Sequence, residues 1–109
     1  QITFDSDELP EMSSDISLCL YRILQEALHN AAKHSGGHQF NVRVWTTRRD
    51  VHLEVRDDGM GFDVRNARHT TGLGLVSMEE RVKLVAGELK IRSAPRRGTT
   101  VHARVPLNG

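Results

Sequence analysis

The chain has 109 residues, with 15 lysines and arginines against 14 aspartates and glutamates and a formal net charge of +1. This length supports a single domain, residues 1–109, and the balanced charge gives no clustered basic face of the kind that binds nucleic acid. Cys19 is the only cysteine, which excludes an intramolecular disulfide and favours a reducing, cytoplasmic compartment.

The chain starts in a strand-like stretch, Ile2-Thr3-Phe4, without an initiator methionine. We therefore expect a C-terminal fragment of a longer protein. No apolar run approaches the roughly 18 residues needed to cross a bilayer, so we expect no membrane contact by this domain.

The first strongly periodic segment, from about Ser14 to His34, predicts an amphipathic helix. Its apolar residues recur at spacings of three, four and seven, which places them on one face. Asp15 is the favoured N-cap, with Ser13 or Ser14 as alternatives, and Gly36-Gly37 ends the helix. The apolar face consists of Ile16, Leu20, Ile23, Leu24, Ala27 and Ala31.

The apolar period then changes to two, which is typical of strands. Runs at 40–45 and 51–56, separated by a short turn at 47–50, predict an antiparallel hairpin. A second helix is predicted from about Leu75 to Ala86, with Gly87 at its left-handed stop position. Two last strands follow, at 89–93 and 99–105, joined by a turn.

Strands that alternate in this way imply a sheet that is covered on one face only. The predicted fold is therefore an α/β two-layer sandwich, in which a mixed sheet carries helices on one face.

Four polar residues flank the apolar face of the first helix, namely Glu26, Asn30, Lys33 and His34. At about 100° per residue, their side chains project into one crevice at the edge of the core. An amide oxygen suits Mg²⁺, and a carboxylate one turn away can accept a proton. The alternative is a helix boundary with ordinary i,i+4 polar neighbours.

Asp57 continues the inward series of its strand, whereas Asp58 must point outward. An inward carboxylate is costly unless a group hydrogen-bonds to it, and a purine amine is one such donor. Gly59 and Gly61 allow the backbone to approach a flat ligand or to adopt a positive φ. The alternative is that Asp57 only ends a strand before a glycine-rich turn.

Gly72-Leu73-Gly74 precedes the second helix, whose first amides could receive phosphate oxygens. No buried strand precedes these glycines and no Gly-Lys-Ser/Thr tripeptide occurs, which disfavours a Rossmann turn and a P-loop. A loop without a ligand is the alternative.

The order of these motifs resembles the Bergerat ATP-binding fold of gyrase, the Hsp90 chaperone, histidine kinases and the MutL mismatch-repair protein. Residues 26–34 look like the N box, residues 57–62 like the first glycine box and residues 72–75 like the second. Gly98-Thr99 looks like the closing motif. The resemblance covers essentially the whole chain.

Within that superfamily, residues 24–34 and 72–82 resemble the catalytic domain of bacterial sensor histidine kinases. The sequences of these two segments are most similar to the branch of the nitrate sensors and the membrane-fluidity sensor. Only ten residues, Phe62 to Thr71, separate the two glycine boxes. Such a short lid is also similar to this branch and differs from the longer lids of gyrase and Hsp90.

The resemblance implies a role for each motif residue in binding ATP with Mg²⁺. Asp57 would accept the adenine amine, with Thr99 holding a water between this carboxylate and the ring. Asn30 would ligate Mg²⁺, and Glu26 would polarise the attacking group. The other expected ATP-binding residues are Lys33 and His34 at phosphate oxygens, Gly59, Gly61, the lid-hinge glycines Gly72 and Gly74, and Leu73 and Leu75 of the second glycine box.

In this family, ATP phosphorylates a histidine on a separate dimerisation domain, and in this branch an acidic residue follows that histidine. None of the six histidines here has an acidic residue directly after it. We therefore expect the chain to bind nucleotide as a monomer and not to phosphorylate itself. The implied partners are its own dimerisation domain and a response regulator with a helix-turn-helix output domain.

Two other functions remain open at this stage. One is a serine kinase of the anti-sigma-factor type, and the other is a nucleotide-sensing module that binds ATP without phosphotransfer. The short lid makes a gyrase-like ATPase the least favoured reading.

Overall fold

The computed structural model describes residues 2–35, 39–61 and 74–107, except for the side chains of residues 34 and 35. No helix within this part of the chain combines the length and apolar character that crossing a membrane requires. In chain order the elements are β1 (Ile2–Ser6), α1 (Ser14–Asn30) with a π-helical turn (Ala31–Ser35), β2 (Phe40–Thr46), β3 (Asp50–Asp57), α2 (Leu75–Leu84), β4 (Glu88–Ser93) and β5 (Thr99–Pro106).

Within the described residues these strands form one mixed sheet in the order β1-β2-β3-β5-β4. β1 is parallel to β2, and every other neighbouring pair is antiparallel. Both helices pack on the same face of the sheet, so the predicted two-layer α/β sandwich is confirmed.

The core lies between this face and the two helices because each strand alternates apolar and polar residues. Val55 faces Val42 on one side and Val101 on the other, and all three are buried. Met78 and Val82 of α2 complete the layer from above. The apolar residues at every second position of the strands therefore determine which face of the sheet the helices cover.

The N-terminus of α1 differs from the favoured prediction. Ser13, not Asp15, is the N-cap, because its extended backbone lets the side-chain oxygen accept a hydrogen bond from Ile16 N at 3.2 Å. Asp15 lies in the first turn instead, where its negative charge is favourable at the positive end of the helix dipole. Ser13 was one of the two alternatives.

The C-terminus of α2 also corrects a prediction, since Ala86 and not Gly87 takes the left-handed conformation, with φ of 57°. Ala86 N donates to Lys83 O at 3.0 Å and Gly87 N to Val82 O at 2.8 Å, which closes the helix end. A glycine is still required at 87, because a Cβ there would lie 2.6 Å from the carbonyl oxygen of Arg104.

The other face of the sheet carries three stacked rings, from Trp45, His52 and His102. His52 Nδ1 lies 2.9 Å from His102 Nε2, and His52 Nε2 lies 2.9 Å from Thr47 Oγ1. These contacts disfavour protonation of both imidazoles at once, because two protonated rings at this distance would repel each other.

This histidine pair predicts a loss of stability in mild acid. Burial is the main cause that lowers the pKa of both His52 and His102 below 6.5; the neighbouring imidazole also lowers that of His52. The unfolded chain therefore binds more protons than the folded chain around and below this pH, so the free energy of unfolding should fall as the pH drops through about 6.5.

Urea unfolding of the wild type and two variants between about pH 7.5 and about pH 5.5 measures this effect. The double variant His52→Gln/His102→Gln should show a flatter dependence on pH. His29→Gln, at an exposed position of α1, serves as the control and should follow the wild type. A double variant as pH-sensitive as the wild type would contradict the assignment to this pair.

Candidate functional site

One cleft opens between α1, the start of α2 and the ends of β3 and β5. Its enclosed volume is only about 10 Å³, and the wider space of about 320 Å³ at this place includes open solvent. Polar groups from three separate elements meet there against an apolar wall. The lining residues are Ala27, Asn30 and Ala31 of the first helical segment, Val55 and Asp57 of β3, Leu75 of α2, and Thr99 and Val101 of β5.

Asp57 and Thr99 form the polar end of the cleft. Asp57 is the last residue of β3 and pairs in the ladder with Thr99, the first residue of β5. Because paired residues point to the same face, the carboxylate and the hydroxyl lie side by side. Asp57 Oδ1 accepts a hydrogen bond from Gly59 N at 2.8 Å, which fixes the carboxylate. Thr99 is 8% exposed.

Asp58 points away from this end, as the period of two predicts. It is exposed, and its Oδ1 accepts a hydrogen bond from Gln39 N at 3.1 Å. Of the two adjacent aspartates, only Asp57 lines the cleft.

Asn30 supplies the amide of the cleft. It is the last residue of α1 and only 7% exposed. Ala27 and Ala31 lie beside it on the cleft wall, and their small side chains leave the space that a larger residue would fill. The helix continues past Asn30 as a π-helical turn, a deviation that is frequent at functional sites.

Glu26 lies one turn before Asn30 and packs against Gly74, at the start of α2. A Cβ on Gly74 would contact Glu26 Oε1 and lie 2.6 Å from its Cδ, and Gly74 has a φ of +66°. The positive φ favours glycine at this position, whereas the end of the flexible Glu26 side chain could move away from a Cβ. The half-buried carboxylate therefore sits beside the N-terminus of α2, where negative charge is favourable.

Gly61 lies against the protein's own backbone. The sequence pattern had allowed either a positive φ or a close approach to a ligand at this position. Its φ is +67°, and a Cβ would overlap the carbonyl of Ala94 and lie 2.9 Å from Gly98 O. Gly98, with φ of +72°, packs in the same way against the carbonyl of Asp57. The β4–β5 turn thus supports the end of β3 at Asp57 and the loop that follows it, and Arg96 N donates to Met60 O across the same contact.

The remaining predicted site residues are only partly placed. Lys33 is exposed on the π-helical turn and is not among the lining residues, whereas Leu75 is buried at the cleft wall. The side chain of His34, and Gly72 and Leu73 entirely, lie outside the described residues.

Among the cleft residues, the side-chain amide of Asn30 is a suitable ligand for a magnesium ion. Within the described ranges, no three His, Cys, Asp or Glu side chains converge as a metal cluster. The Asn30 side-chain oxygen is a hard, neutral ligand that is shielded from solvent at the cleft. Mg²⁺ usually takes one or two protein ligands and completes its shell with phosphate oxygens and water, so Asn30 would be the protein ligand.

The sequence analysis did not identify Ser93, which does not line the cleft but contacts the cleft residue Thr99. Ser93 is the last residue of β4 and pairs with Thr99, with 2.8 Å between their hydroxyl oxygens. A signal for it existed, because Ser93 continues the inward series of Leu89 and Ile91. This is the same argument from strand alternation that identified Asp57.

Known proteins are similar to this chain in sequence or in fold. Residues 16–109 match the family model of histidine kinase-, DNA gyrase B-, and HSP90-like ATPases. The chain is 36% identical over 99 residues to the signal transduction histidine-protein kinase/phosphatase DegS of Bacillus subtilis (strain 168), covering 89% of this chain and 26% of that protein. For DegS of Brevibacillus brevis the identity is 34% over 92 residues, covering 84% and 24%. The chain thus spans about a quarter of these relatives' length.

Two solved structures share the fold at low identity. The histidine kinase domain of the Erythrobacter litoralis EL346 blue-light activated histidine kinase superposes with a TM-score of 0.80 at 19% identity, covering 98% of this chain and 52% of that one. The Acinetobacter baumannii histidine kinase AdeS gives 0.81 at 15%, covering 99% and 54%. Together with the family match over residues 16–109, these findings show that the chain belongs to the family of histidine kinase-, DNA gyrase B-, and HSP90-like ATPases.

Proposed function

We propose that this chain is the ATP-binding catalytic domain of a two-component sensor histidine kinase, which donates the γ-phosphate of ATP to a histidine on a separate dimerisation domain. The observation that carries this proposal is the meeting of Asn30, Asp57 and Thr99 in one cleft of an ATPase-family domain. The histidine-protein kinase relatives support the choice of kinase over the other activities of the family.

Each residue of the cleft has a place in this function. Asp57 accepts the adenine amine, and Thr99 shares a water with it. Asn30 ligates Mg²⁺, which neutralises charge on the triphosphate when bound. Lys33 and His34 are the proposed contacts of the phosphate oxygens. Gly72 and Gly74 are the proposed hinges of the lid, and Leu73 and Leu75 are the other proposed ATP-binding residues of the second glycine box.

Glu26 is the proposed catalytic residue. Phosphoryl transfer depends mostly on positioning and electrostatics, and a carboxylate can add to this by polarising the attacking imidazole. Glu26 lies one helical turn from the proposed metal ligand and beside the start of α2, which supports this role. Glu26 also lies against Gly74, one of the two proposed hinge residues of the lid.

The proposal includes the setting of the domain. Its proposed partners are its own dimerisation domain and a response regulator with a helix-turn-helix output domain. Its proposed location is the cytoplasm, either in a soluble protein or as the cytoplasmic part of a membrane-bound sensor. The sequence of residues 24–34 and 72–82 supports membership of the nitrate-sensor and membrane-fluidity-sensor branch. The two alternatives are an ATP-sensing module without phosphotransfer and a serine kinase of the anti-sigma-factor type.

Glu26→Gln in the full-length protein that carries this domain tests the proposal. We expect autophosphorylation to fall by about a hundredfold or more, because general acid–base groups contribute factors of this size. ADP binding should remain within about threefold of the wild type, because Glu26 is not placed at the base or the metal. The measurement is transfer of labelled γ-phosphate, with the acid lability of the product distinguishing phosphohistidine from phosphoserine.

Gln25→Ala, at the exposed neighbouring position, is the matched control and should retain activity. An acid-stable product would identify a serine kinase. A wild-type protein that binds ATP and transfers no phosphate would identify a nucleotide sensor.

A further inference from the structure

We propose that the free edge of β1 is a docking site for a second copy of this chain, which adds its own β1 in antiparallel orientation. The contact lies at the opposite edge of the sheet from β4. No residue of β1 lines the nucleotide cleft. The inference therefore goes beyond the proposed function and does not depend on nucleotide binding.

β1 is the outer strand of the sheet, and its backbone groups divide between two sides. Within the described ranges it pairs with β2 alone. Asp7 N, directly after the strand, donates to Val44 O at 3.0 Å. Because successive residues of a strand point their backbone groups to opposite sides, the odd-numbered residues bond toward β2. The residues whose N–H and C=O groups point to the free edge are Ile2, Phe4 and Ser6.

Two apolar side chains of β1 are exposed although they point to the helix-covered face of the sheet. Phe4 lies in register with the buried Val42, and Ile2 lies in register with Phe40. The helices cover mainly the other side of this face, because α1 packs against β3 and β5 and α2 against β4. Ile2 is therefore 58% exposed and Phe4 61%. An exposed apolar edge strand is a template for pairing with another strand.

The sequence of β1 is self-complementary in one antiparallel register. A twofold axis at Phe4 places this residue opposite Phe4 of the second copy, and Ile2 opposite Ser6. Because the backbone groups of these residues face the free edge, each opposed pair exchanges both of its hydrogen bonds. The two phenylalanine rings meet across the strands, which stabilises the pair. On the other face Thr3 lies opposite Asp5, and its hydroxyl can donate to the carboxylate.

The neighbouring registers fit less well. A shift by one residue brings backbone groups that already bond to β2 to the contact. A shift by two residues in one direction sets Asp5 opposite Asp5 of the second copy, and like charges directly opposite each other are destabilising. A shift by two in the other direction separates the two Phe4 rings. Charge and hydrogen-bond geometry therefore select the register centred on Phe4.

The contact is weak by itself. A pair of five-residue strands is smaller than the roughly 1,200 Å² that a stable interface buries. Asp5, Asp7 and Glu8 also place negative charge near the edge in each copy. The chain is therefore expected to be monomeric at low concentration and to pair at about millimolar concentration, which two copies reach when short linkers tether them in one molecule.

Disulfide trapping tests the contact because it captures weakly bound pairs. In the twofold register the two Cα atoms at position 4 lie about 5.5 Å apart, within the range that a disulfide spans. Under mild oxidation we expect Phe4→Cys to form a covalent dimer at least about tenfold faster than Leu84→Cys, because its thiols are held within reach of each other. Leu84 is 87% exposed at the end of α2, so Leu84→Cys measures random collision. The wild type, whose Cys19 is buried, should not crosslink.

Four further substitutions test the register. Ile2→Cys and Ser6→Cys should each dimerise slowly alone and rapidly when mixed, because position 2 of one copy lies opposite position 6 of the other. In a Phe4→Cys background, Ser6→Pro removes an N–H at the free edge without removing a bond to β2, so the rate should fall to that of Leu84→Cys. Ser6→Ala is the matched control and should keep the fast rate. The melting temperatures of these variants establish that each one folds.

The outcomes are separate from those of the proposed function, since none of them depends on ATP. Fast trapping at position 4, with rapid trapping of the mixed variants at positions 2 and 6, supports the inference. Equal rates for Phe4→Cys and Leu84→Cys would overturn it, and so would a fast rate that persists in Ser6→Pro. A full-length protein in which Phe4→Cys no longer forms this dimer would mean that another segment covers the edge, which also contradicts it.

Discussion

Replacing Asp57 with Asn is expected to abolish the stabilisation that ADP gives to this domain. A ligand at about one hundred times its dissociation constant stabilises the folded state by roughly 2.7 kcal/mol. For a domain of about this size, each kcal/mol raises the melting temperature by roughly 4–8 °C, so the wild-type shift should be large. Asn keeps the shape of Asp but turns an amide donor or a neutral oxygen toward the base, which weakens the contact with its amine.

The measurement is thermal unfolding with ADP or ATP, with and without Mg²⁺. Asp58→Asn is the matched control, because the adjacent carboxylate is exposed and points away from the cleft. It should retain the wild-type shift, and the shift should be larger with Mg²⁺ than without. A shift in Asp57→Asn equal to that of the wild type would remove Asp57 from the site.

Replacing Ile23 with Ala should cost the domain about 2–5 kcal/mol of its free energy of unfolding. Ile23 is 0% exposed, and it lies on the buried face of α1 two turns before Asn30. The truncation removes apolar contacts and leaves a cavity in a close-packed layer, so both the transfer and the cavity terms act against the folded state.

Urea unfolding of the same domain provides the measurement, with Leu84→Ala as the control. Leu84 is 87% exposed at the end of α2, so its truncation should change the free energy of unfolding by less than about 0.5 kcal/mol. Equal losses in the two variants would mean that the α1–sheet layer does not form the core in solution.

Much of this fold could be predicted from the sequence because the apolar pattern is regular. The helical period marks α1 and α2, the period of two marks the four later strands, and both together predict a one-sided sheet. The cap residues were predicted less well. Ser13, Ser14 and Asp15 are all good caps, and the choice depends on where the backbone enters the first turn.

Glycine positions show the same limit. Gly87 was expected to be the left-handed residue that ends α2, yet Ala86 has that conformation and Gly87 serves a close approach to β5. Gly61 was expected to give either a positive φ or space for a ligand, and the structure shows a positive φ and backbone contact with the β4–β5 turn. A glycine in the sequence indicates a position with a special backbone requirement. Whether that requirement is a positive φ or a close contact depends on the residue that packs against the glycine.

By itself, the sequence determined the elements of this protein, the inward direction of Asp57 and the polar edge of α1, because strand and helix periods are local properties of the chain. Only the tertiary structure decided that Asp57 lies opposite Thr99, that Glu26 packs on Gly74 and that Ser93 contacts Thr99. These pairs are distant in the sequence or depend on strand register. They form because packing the helices on the sheet aligns the ends of β3, β4 and β5 beside α1 and α2.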